Sequence, residues 1–152
     1  DQGPMAREPC IKLKVSLTDI KLHEDAIHRG PAQVYPAVRE AIKEAMKSSA
    51  SLLEPLQIHV IEVPESFMGA VTKLVGSKRG QLIDMKQESG IAEIKAKLPV
   101  AEMIGWSSDL RSATEGRGNS SLLDQLFERI PQSLQADVVR RIRDRKGLAE
   151  NQ

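Results

Sequence analysis

The sequence predicts an α+β fold: a strand, a loop and a helix, followed by a ferredoxin-like βαββαβ domain and a C-terminal helix. Two observations predict this fold. Apolar residues recur with a period of two in some segments and of about 3.6 in others, which separates strands from helices. Between Leu56 and Ile130 the segments follow the order strand, helix, strand, strand, helix, strand. In that order, two helices cover one face of a four-stranded antiparallel sheet.

The composition is that of a globular protein without a strong charge bias. The chain has 152 residues, 40% of them hydrophobic and 28% charged, enough for one ordinary domain or two small ones. A formal net charge of +1 gives no overall attraction to nucleic acid or membrane, so any basic surface must be local. The single cysteine, Cys10, excludes an intramolecular disulfide framework and favours the reducing cytoplasm. The apolar runs are far shorter than the ~20 residues of a membrane span, so we expect no membrane partner.

The first predicted element is a strand at Ile11–Leu17. Apolar residues alternate there with lysine and serine, as expected of a strand with one buried face. The apolar positions change phase at Ile20, which predicts a β-bulge near Thr18, a device that often redirects a strand beside a functional loop. The chain begins Asp1-Gln2-Gly3-Pro4 without an initiator methionine, so we expect it to be cut from a longer protein.

A polar loop and a helix are predicted next. The loop extends from His23 to Gln33. Over Pro36–Lys47 apolar residues recur at helical spacing. Pro36 is expected near the first turn of this helix, because a proline there costs no hydrogen bond.

The ferredoxin-like domain is predicted over residues 55–130. Its second and third strands along the chain are expected to meet at Ser89-Gly90 as an antiparallel hairpin. The polar, glycine-containing stretch 112–120 is predicted to be a loop. The predicted elements, in chain order, are a strand at Leu56–Val60, a helix at Phe67–Gly76, strands at Leu82–Lys86 and Ile91–Leu98, a short helix at Val100–Leu110 and a strand at Leu122–Ile130.

Residues 131–152 are predicted to form a terminal helix and tail. Ser133 is a suitable N-cap, and Leu134, Val138 and Ile142 lie on one helical stripe. The opposite face carries several arginines. We interpret it as a solvated and packing face, because arginine stems cover apolar surface while their charged heads stay in water.

The densest polar cluster is His23–Gly30, and the residues alone allow three interpretations. A stand-alone metal-dependent enzyme would use His23, Glu24, Asp25 and His28 as ligands, although two histidines five residues apart lack the spacing of a metalloprotease helix. A histidine and a carboxylate could also exchange protons as general acid and base. The third interpretation is a solvated loop in which Asp25 caps a turn.

The same cluster carries a resemblance to a known family. The run Lys21–Gln33, followed by Pro36-Ala37-Val38-Arg39, closely resembles the distal loop of domain IV in the translation elongation factor 2 family, and Pro31-Ala32 resembles its archaeal members. By that match, residues 1–54 resemble the C-terminal part of domain IV, and residues 55–130 domain V. The resemblance continues through Leu53-Glu54-Pro55, Lys78-Arg79-Gly80, Leu98-Pro99-Val100, Asp109-Leu110-Arg111-Ser112 and Arg145-Lys146-Gly147-Leu148.

The resemblance implies a role in translation. His28 matches the histidine that diphthamide-forming enzymes modify in this family, and the tip of the loop enters the decoding centre as tRNA and mRNA translocate through the ribosome. The expected partners are therefore the ribosome, with its RNA, and those modifying enzymes. RNA is recognised there through shape, 2′-hydroxyl and phosphate contacts. The expected RNA-contacting residues are His23, Asp25, His28, Arg29 and Gln33.

Lys78 and Arg79 form a second basic pair, between a predicted helix and a predicted strand. Charged turns of this kind are common, so one interpretation is a solvated turn. The resemblance adds another, a contact of domain V with ribosomal RNA. The sequence leaves both interpretations open.

The family's GTPase chemistry is not expected within this chain. No G-x-x-x-x-G-K-[ST] segment occurs in it, and that loop is what holds nucleotide phosphates in such enzymes. By the resemblance, GTP and magnesium belong to the longer parent. We therefore expect no catalytic residue, metal ligand or cofactor here, but a ribosome-binding part of a GTPase that promotes GTP-dependent translocation.

Overall fold

The computed structural model describes residues 2–148, and the last four residues of the predicted tail lie outside this range. Leu53–Arg129 forms one unit, the sheet domain, and the described residues on either side of it form a second. No helix among the described residues is long and apolar enough to cross a membrane. The helices are α1 (Pro31–Ser49), α2 (Met68–Ser77), α3 (Trp106–Ala113) and α4 (Gln132–Arg145), and the strands are β1 (Leu53–Pro64), β2 (Gln81–Glu88), β3 (Ile91–Pro99) and β4 (Asn119–Arg129).

The sheet domain has the predicted ferredoxin-like topology. Its strands lie in the order β2-β3-β1-β4, and each neighbouring pair is antiparallel. The helices α2 and α3 occupy the two crossover positions of the βαββαβ order. The α+β fold class is therefore confirmed. β1 begins at Leu53, so the strand already includes Glu54 and Pro55, the residues on either side of the predicted domain boundary.

The core of this domain lies between the sheet and its two helices. Ile61 on β1 faces Ile94 on β3 in the register, and both side chains are fully buried. Alternate residues of a strand point to the same face, which is why every second residue of β3 from Ala92 is buried. The core residues are Ile61, Val63, Val71, Val75, Ala92, Ile94, Ala96, Leu98, Trp106 and Leu110.

The β2–β3 hairpin is confirmed at the predicted dipeptide. Ser89 and Gly90 have φ values of 53° and 82°. Two successive positive φ angles are what a two-residue type I′ turn requires, because its twist matches that of the flanking strands. Gly90 adopts this conformation without strain, whereas Ser89 is an uncommon residue for it.

The second predicted helix of the sheet domain is shorter than expected. Val100–Glu102 forms a separate 3₁₀ turn, and α3 begins only at Trp106. Gly105 between them has a φ of 79°, a left-handed conformation that interrupts a right-handed helix. Ile104, expected on the helix, is consequently 85% exposed. The predicted loop 112–120 is also shortened, because α3 extends to Ala113 and β4 begins at Asn119.

The strand predicted at Ile11–Leu17 does not form. The described residues of the second unit contain no strand, only an isolated bridge between Gln2 and Pro9, so the segment has no neighbour to accept its backbone hydrogen bonds. The predicted bulge near Thr18 is absent for the same reason. The apolar side chains from Ile11 to Leu22 are each about half exposed or more.

The helix α1 begins five residues earlier than predicted. Pro31 occupies its first position and Gly30 is the N-cap, while Pro36 lies inside the helix. Both prolines could open a helix, but only the first does so. Gln33, predicted in the loop, therefore lies in the first turn of α1. Pro36 costs the helix one internal hydrogen bond, because proline has no N–H.

The C-terminal end of helix α4 contacts residues 5–8 of the chain. Its N-cap is Pro131, so the predicted cap Ser133 was wrong and lies within the first turn. At the other end, Lys146 contacts the Glu8 carboxylate at 2.8 Å and donates to the Ala6 carbonyl at 3.0 Å. Arg143 donates to the Met5 carbonyl at 2.9 Å. Two cations of the predicted basic face, Arg143 and Lys146, therefore bind residues 5–8 of the same chain.

Candidate functional site

The polar cluster forms an exposed turn directly before α1, which we call the histidine loop (His23–Gly30). Ala26–Arg29 is a 3₁₀ turn, and Asp25 is its N-cap. The Asp25 Oδ1 accepts a hydrogen bond from the Ile27 backbone N–H at 3.1 Å, and the His28 N–H donates to the Asp25 carbonyl at 3.2 Å. The expectation that Asp25 caps a turn is confirmed.

The two histidines of the loop lie against each other. Their ring centroids are 4.8 Å apart with an interplanar angle of 69°, an edge-to-face arrangement that aromatic rings favour. The His23 Nδ1 accepts a hydrogen bond from the Asp25 backbone N–H at 3.1 Å. A neutral His23 therefore carries its proton on Nε2. His23 supports the turn, while His28 lies exposed within it.

Arg29 turns back onto the beginning of the loop. Its Nε donates to the His23 carbonyl at 2.6 Å, and its Nη2 donates to the Glu24 carbonyl at 2.7 Å. The guanidinium thus satisfies two backbone acceptors that no secondary structure pairs. The loop passes directly into α1, since the Gln33 and Val34 N–H groups both donate to the Gly30 carbonyl at 3.0 Å. A 19-residue helix therefore supports the loop.

The arrangement offers no metal site. Within residues 2–148, no three His, Cys, Asp or Glu side chains are placed to hold a metal ion. His23, Glu24, Asp25 and His28 therefore do not form a ligand set, and the Asp25 side chain instead caps the turn. The interpretation as a stand-alone metal-dependent enzyme therefore has no ligand geometry to support it.

The second basic pair, Lys78 and Arg79, is engaged in ion pairs within the sheet domain. The Arg79 Nη2 lies 3.0 Å from the Glu54 carboxylate, and its Nε lies 3.0 Å from Glu102. The hydrogen bond to Glu54 raises the pKa of Arg79 above its already high ordinary value. Lys78 lies 2.8 Å from Asp109. The structure thus places both cations against carboxylates that lie far from them in the sequence.

A buried polar network in the sheet domain was not predicted. His59 on β1 is only 8% exposed. The Trp106 Nε1–H donates to the Ser120 Oγ at 3.0 Å, so the Ser120 hydroxyl can donate to the His59 Nδ1, 2.9 Å away. The His59 Nε2 then carries the proton and faces the Gln57 Oε1 at 3.1 Å. The sequence signal was the spacing of two between Gln57 and His59, which puts both on one face of the strand.

The stability of the sheet domain is expected to fall as the pH drops below about 6.5, the ordinary pKa of histidine. Burial lowers the pKa of His59, so the unfolded chain binds a proton in a pH range where the folded domain does not. By linkage, the contribution of neutral His59 to stability is fully present above the pKa of histidine in the unfolded chain, and it decreases progressively as the pH falls below that value. Urea unfolding at a series of pH values measures the effect. A His59→Gln variant, which cannot titrate, should show a smaller loss, and identical pH profiles for the two proteins would contradict the prediction.

The polar groups of the histidine loop thus lie on an exposed turn at the start of a long helix. A family model described as Elongation factor G C-terminus matches residues 51–138, more than half of the chain. A second model, Elongation factor G, domain IV, matches residues 1–50. The chain belongs to the elongation factor G and elongation factor 2 family, which confirms the resemblance seen in the sequence.

Individual relatives agree with this assignment. The chain is similar to Elongation factor 2 of Nanoarchaeum equitans, with 56% identity over 149 residues, covering 97% of this chain and 20% of that protein. It is 50% identical to Elongation factor 2 of Pyrococcus horikoshii over 152 residues, covering 99% of this chain and 21% of that protein. The chain thus spans about a fifth of the length of these archaeal relatives.

A solved structure is also similar to the chain. It is a crystal structure of a protein from Thermus thermophilus, with a TM-score of 0.55 and 26% sequence identity. The similarity covers 62% of this chain and 14% of that one.

Proposed function

We propose that this chain is the ribosome-contacting part of a translational GTPase that promotes translocation of tRNA and mRNA during protein-chain elongation. The observation that carries the proposal is the exposed His28 in a capped turn, in a chain that matches the family models for domain IV and the C-terminus. The turn projects its polar groups from the start of α1. Such a tip suits insertion into an RNA surface that is recognised by shape and backbone contacts.

The histidine loop is the part that enters the decoding centre. His28 presents an imidazole that can stack on a base or donate to phosphate and 2′-hydroxyl oxygens. His23 and Asp25 shape the turn beneath it through the hydrogen bonds described above. Gln33 lies on the exposed first turn of α1, from where its amide can reach the same RNA. Arg29 supplies positive charge beside them.

His28 is also the residue that the diphthamide-forming enzymes of this family modify. A modifying enzyme must reach the imidazole carbon, and the exposed turn leaves that ring accessible. The added cationic group increases attraction to the RNA backbone, because phosphate contacts dominate affinity for nucleic acids. Modification therefore strengthens the same contact that the unmodified loop makes.

GTP and magnesium act elsewhere in the longer protein. The sequence contains no phosphate-binding G-x-x-x-x-G-K-[ST] loop, so this chain's contribution to the GTPase cycle is binding rather than hydrolysis.

Lys78 and Arg79 form a weaker, second contact with ribosomal RNA. Their charges are partly neutralised by Asp109, Glu54 and Glu102, which reduces their attraction to phosphate.

Replacing His28 by alanine in the full-length factor is expected to slow translocation and increase loss of reading frame, by about tenfold if the contact contributes about 1.4 kcal/mol. Single-round translocation on programmed ribosomes measures both quantities. Glu24→Ala is the matched control, since it alters an exposed side chain of the same loop but retains the carbonyl that Arg29 binds. Unchanged rate and frame in the His28 variant would refute the proposed function.

A further inference from the structure

We infer that Arg29 is a positioning residue for His28: its guanidinium clamps the start of the histidine loop and thereby fixes the place of the His28 ring. This inference rests on the proposed function of His28. It assigns Arg29 a role different from a simple phosphate contact. The inference begins with the two hydrogen bonds that the Arg29 side chain makes to the carbonyls of His23 and Glu24.

These two bonds close the loop on itself. The donors are Nε and Nη2, on the same edge of a planar group, and the acceptors are carbonyls of consecutive residues, at 2.6 and 2.7 Å. Hydrogen bonds from a charged donor are shorter and stronger than neutral ones. The fixed fork of a guanidinium binds two acceptors at once with little loss of side-chain freedom. The clamp therefore joins the two ends of a short segment that has only one 3₁₀ turn between them.

The clamp acts on His28 through His23. The same residue whose carbonyl is bound by Arg29 accepts the Asp25 N–H through its ring and contacts the His28 ring edge-to-face. Asp25 in turn caps the turn that contains His28. Releasing the carbonyls of His23 and Glu24 therefore loosens the cap and the ring contact together, and the His28 ring loses its fixed orientation.

The geometry separates a clamp from a phosphate contact. The Nε and Nη2 groups point at the loop's own backbone, so a phosphate bound by that same pair of donors would have to break the clamp. Lysine keeps the positive charge but has a single ammonium on a flexible stem, without the fork. A lysine at this position preserves a point-charge contact with RNA but not the two-point hold on the backbone.

The test compares the wild-type 152-residue chain with Arg29→Lys, Arg29→Ala and the control Arg39→Lys, a conservative change at an exposed position of α1. Nuclear magnetic resonance measures the Overhauser contact between the rings of His23 and His28, and the exchange rate of the Ile27 amide. Both Arg29 variants should lose the ring contact and exchange at least about fivefold faster. The control should match the wild type. A ring contact preserved in Arg29→Lys would overturn the clamp.

A second measurement connects the clamp to function. The four chains are produced in archaeal cells, and the fraction of His28 modified is measured by peptide mass mapping. Arg29→Lys should be modified about fivefold less than wild type despite its retained charge. Full modification of that variant would overturn the positioning role. A wild-type chain without any modification would refute the proposed modification instead, and the resonance experiment, made on unmodified protein, would still decide whether the clamp exists.

Discussion

Replacing Ile94 by alanine is expected to destabilise the sheet domain by about 3 to 4 kcal/mol, the largest effect that we predict for a single substitution. Ile94 is fully buried and lies opposite Ile61, which is also fully buried, in the β1–β3 register. Truncating the side chain there leaves a cavity between the sheet and its helices. Two paired strands hold the backbone in place, so the surroundings can collapse only partly.

Urea unfolding, monitored by tryptophan fluorescence, measures this loss of stability. The chain has one tryptophan, Trp106, which lies in the core of the sheet domain at 4% exposure, so the signal reports this domain. Ile83→Ala is the matched control: the same substitution in β2, where the side chain is 49% exposed, should cost less than about 1 kcal/mol. Equal losses in the two variants would contradict the assigned core.

Replacing Gly80 by alanine is expected to destabilise the same domain by about 2 to 3 kcal/mol. A methyl group at this position would lie 2.7 Å from the Leu98 Cδ2, 2.7 Å from the Val75 Cγ1 and 2.9 Å from the Val75 carbonyl oxygen. That carbonyl already accepts the Gly80 N–H at 2.9 Å. Both neighbouring side chains are buried, so they cannot move aside without disturbing the core.

Gly76→Ala is the matched control for this prediction. Gly76 lies in α2 with nothing within 4 Å of the position that a Cβ would occupy. Alanine lowers the conformational freedom of the unfolded chain and favours helix, so this variant should be stabilised by about 0.5 kcal/mol. Urea unfolding of both variants gives the two signs directly. A Gly80 variant as stable as the wild type would mean that β2 does not begin in close contact with α2 and β3.

The fold of the sheet domain could be predicted because its sequence carries the information locally. In β3, Ile94, Ala96 and Leu98 alternate with charged residues, and the structure buries those three. Ser89-Gly90 indicated the hairpin for a similarly local reason, because a two-residue turn needs positive φ angles, which glycine adopts readily. Such features depend on close neighbours along the chain, and these are visible in the sequence.

Other elements depended on strand pairing or on single backbone positions, which the sequence pattern did not show. The apolar alternation from Ile11 to Leu17 has the period of a strand, but a period indicates only which side chains share a face. A strand also needs a neighbouring strand to pair its backbone, and none of the described residues supplies one. Pro36, predicted near the start of α1, lies inside the helix because the helix already begins at Pro31, and Gly105 interrupts the predicted second helix of the sheet domain because its φ is positive. Periodicity shows neither of these.

The residues of the histidine loop and the turn capped by Asp25 could also be predicted, since an Asx cap involves only the next two or three residues. The direction of the Arg29 side chain could not, because an arginine at a loop can face solvent, RNA or backbone with little difference in local energy. The polar network of His59 joins residues 61 positions apart. Arg79 likewise pairs with Glu54 and Glu102 across 25 and 23 positions.

The sequence by itself determined the buried face of β3, where the hairpin turns, which residue types lie in the exposed loop, and the family to which those residues point. Only the tertiary structure decided which charged groups neutralise each other and which remain available to a partner. The physical reason is range. Backbone preferences and side-chain periodicity act over a few residues, whereas ion pairs, buried hydrogen bonds and strand pairing depend on groups that meet only when the chain has folded.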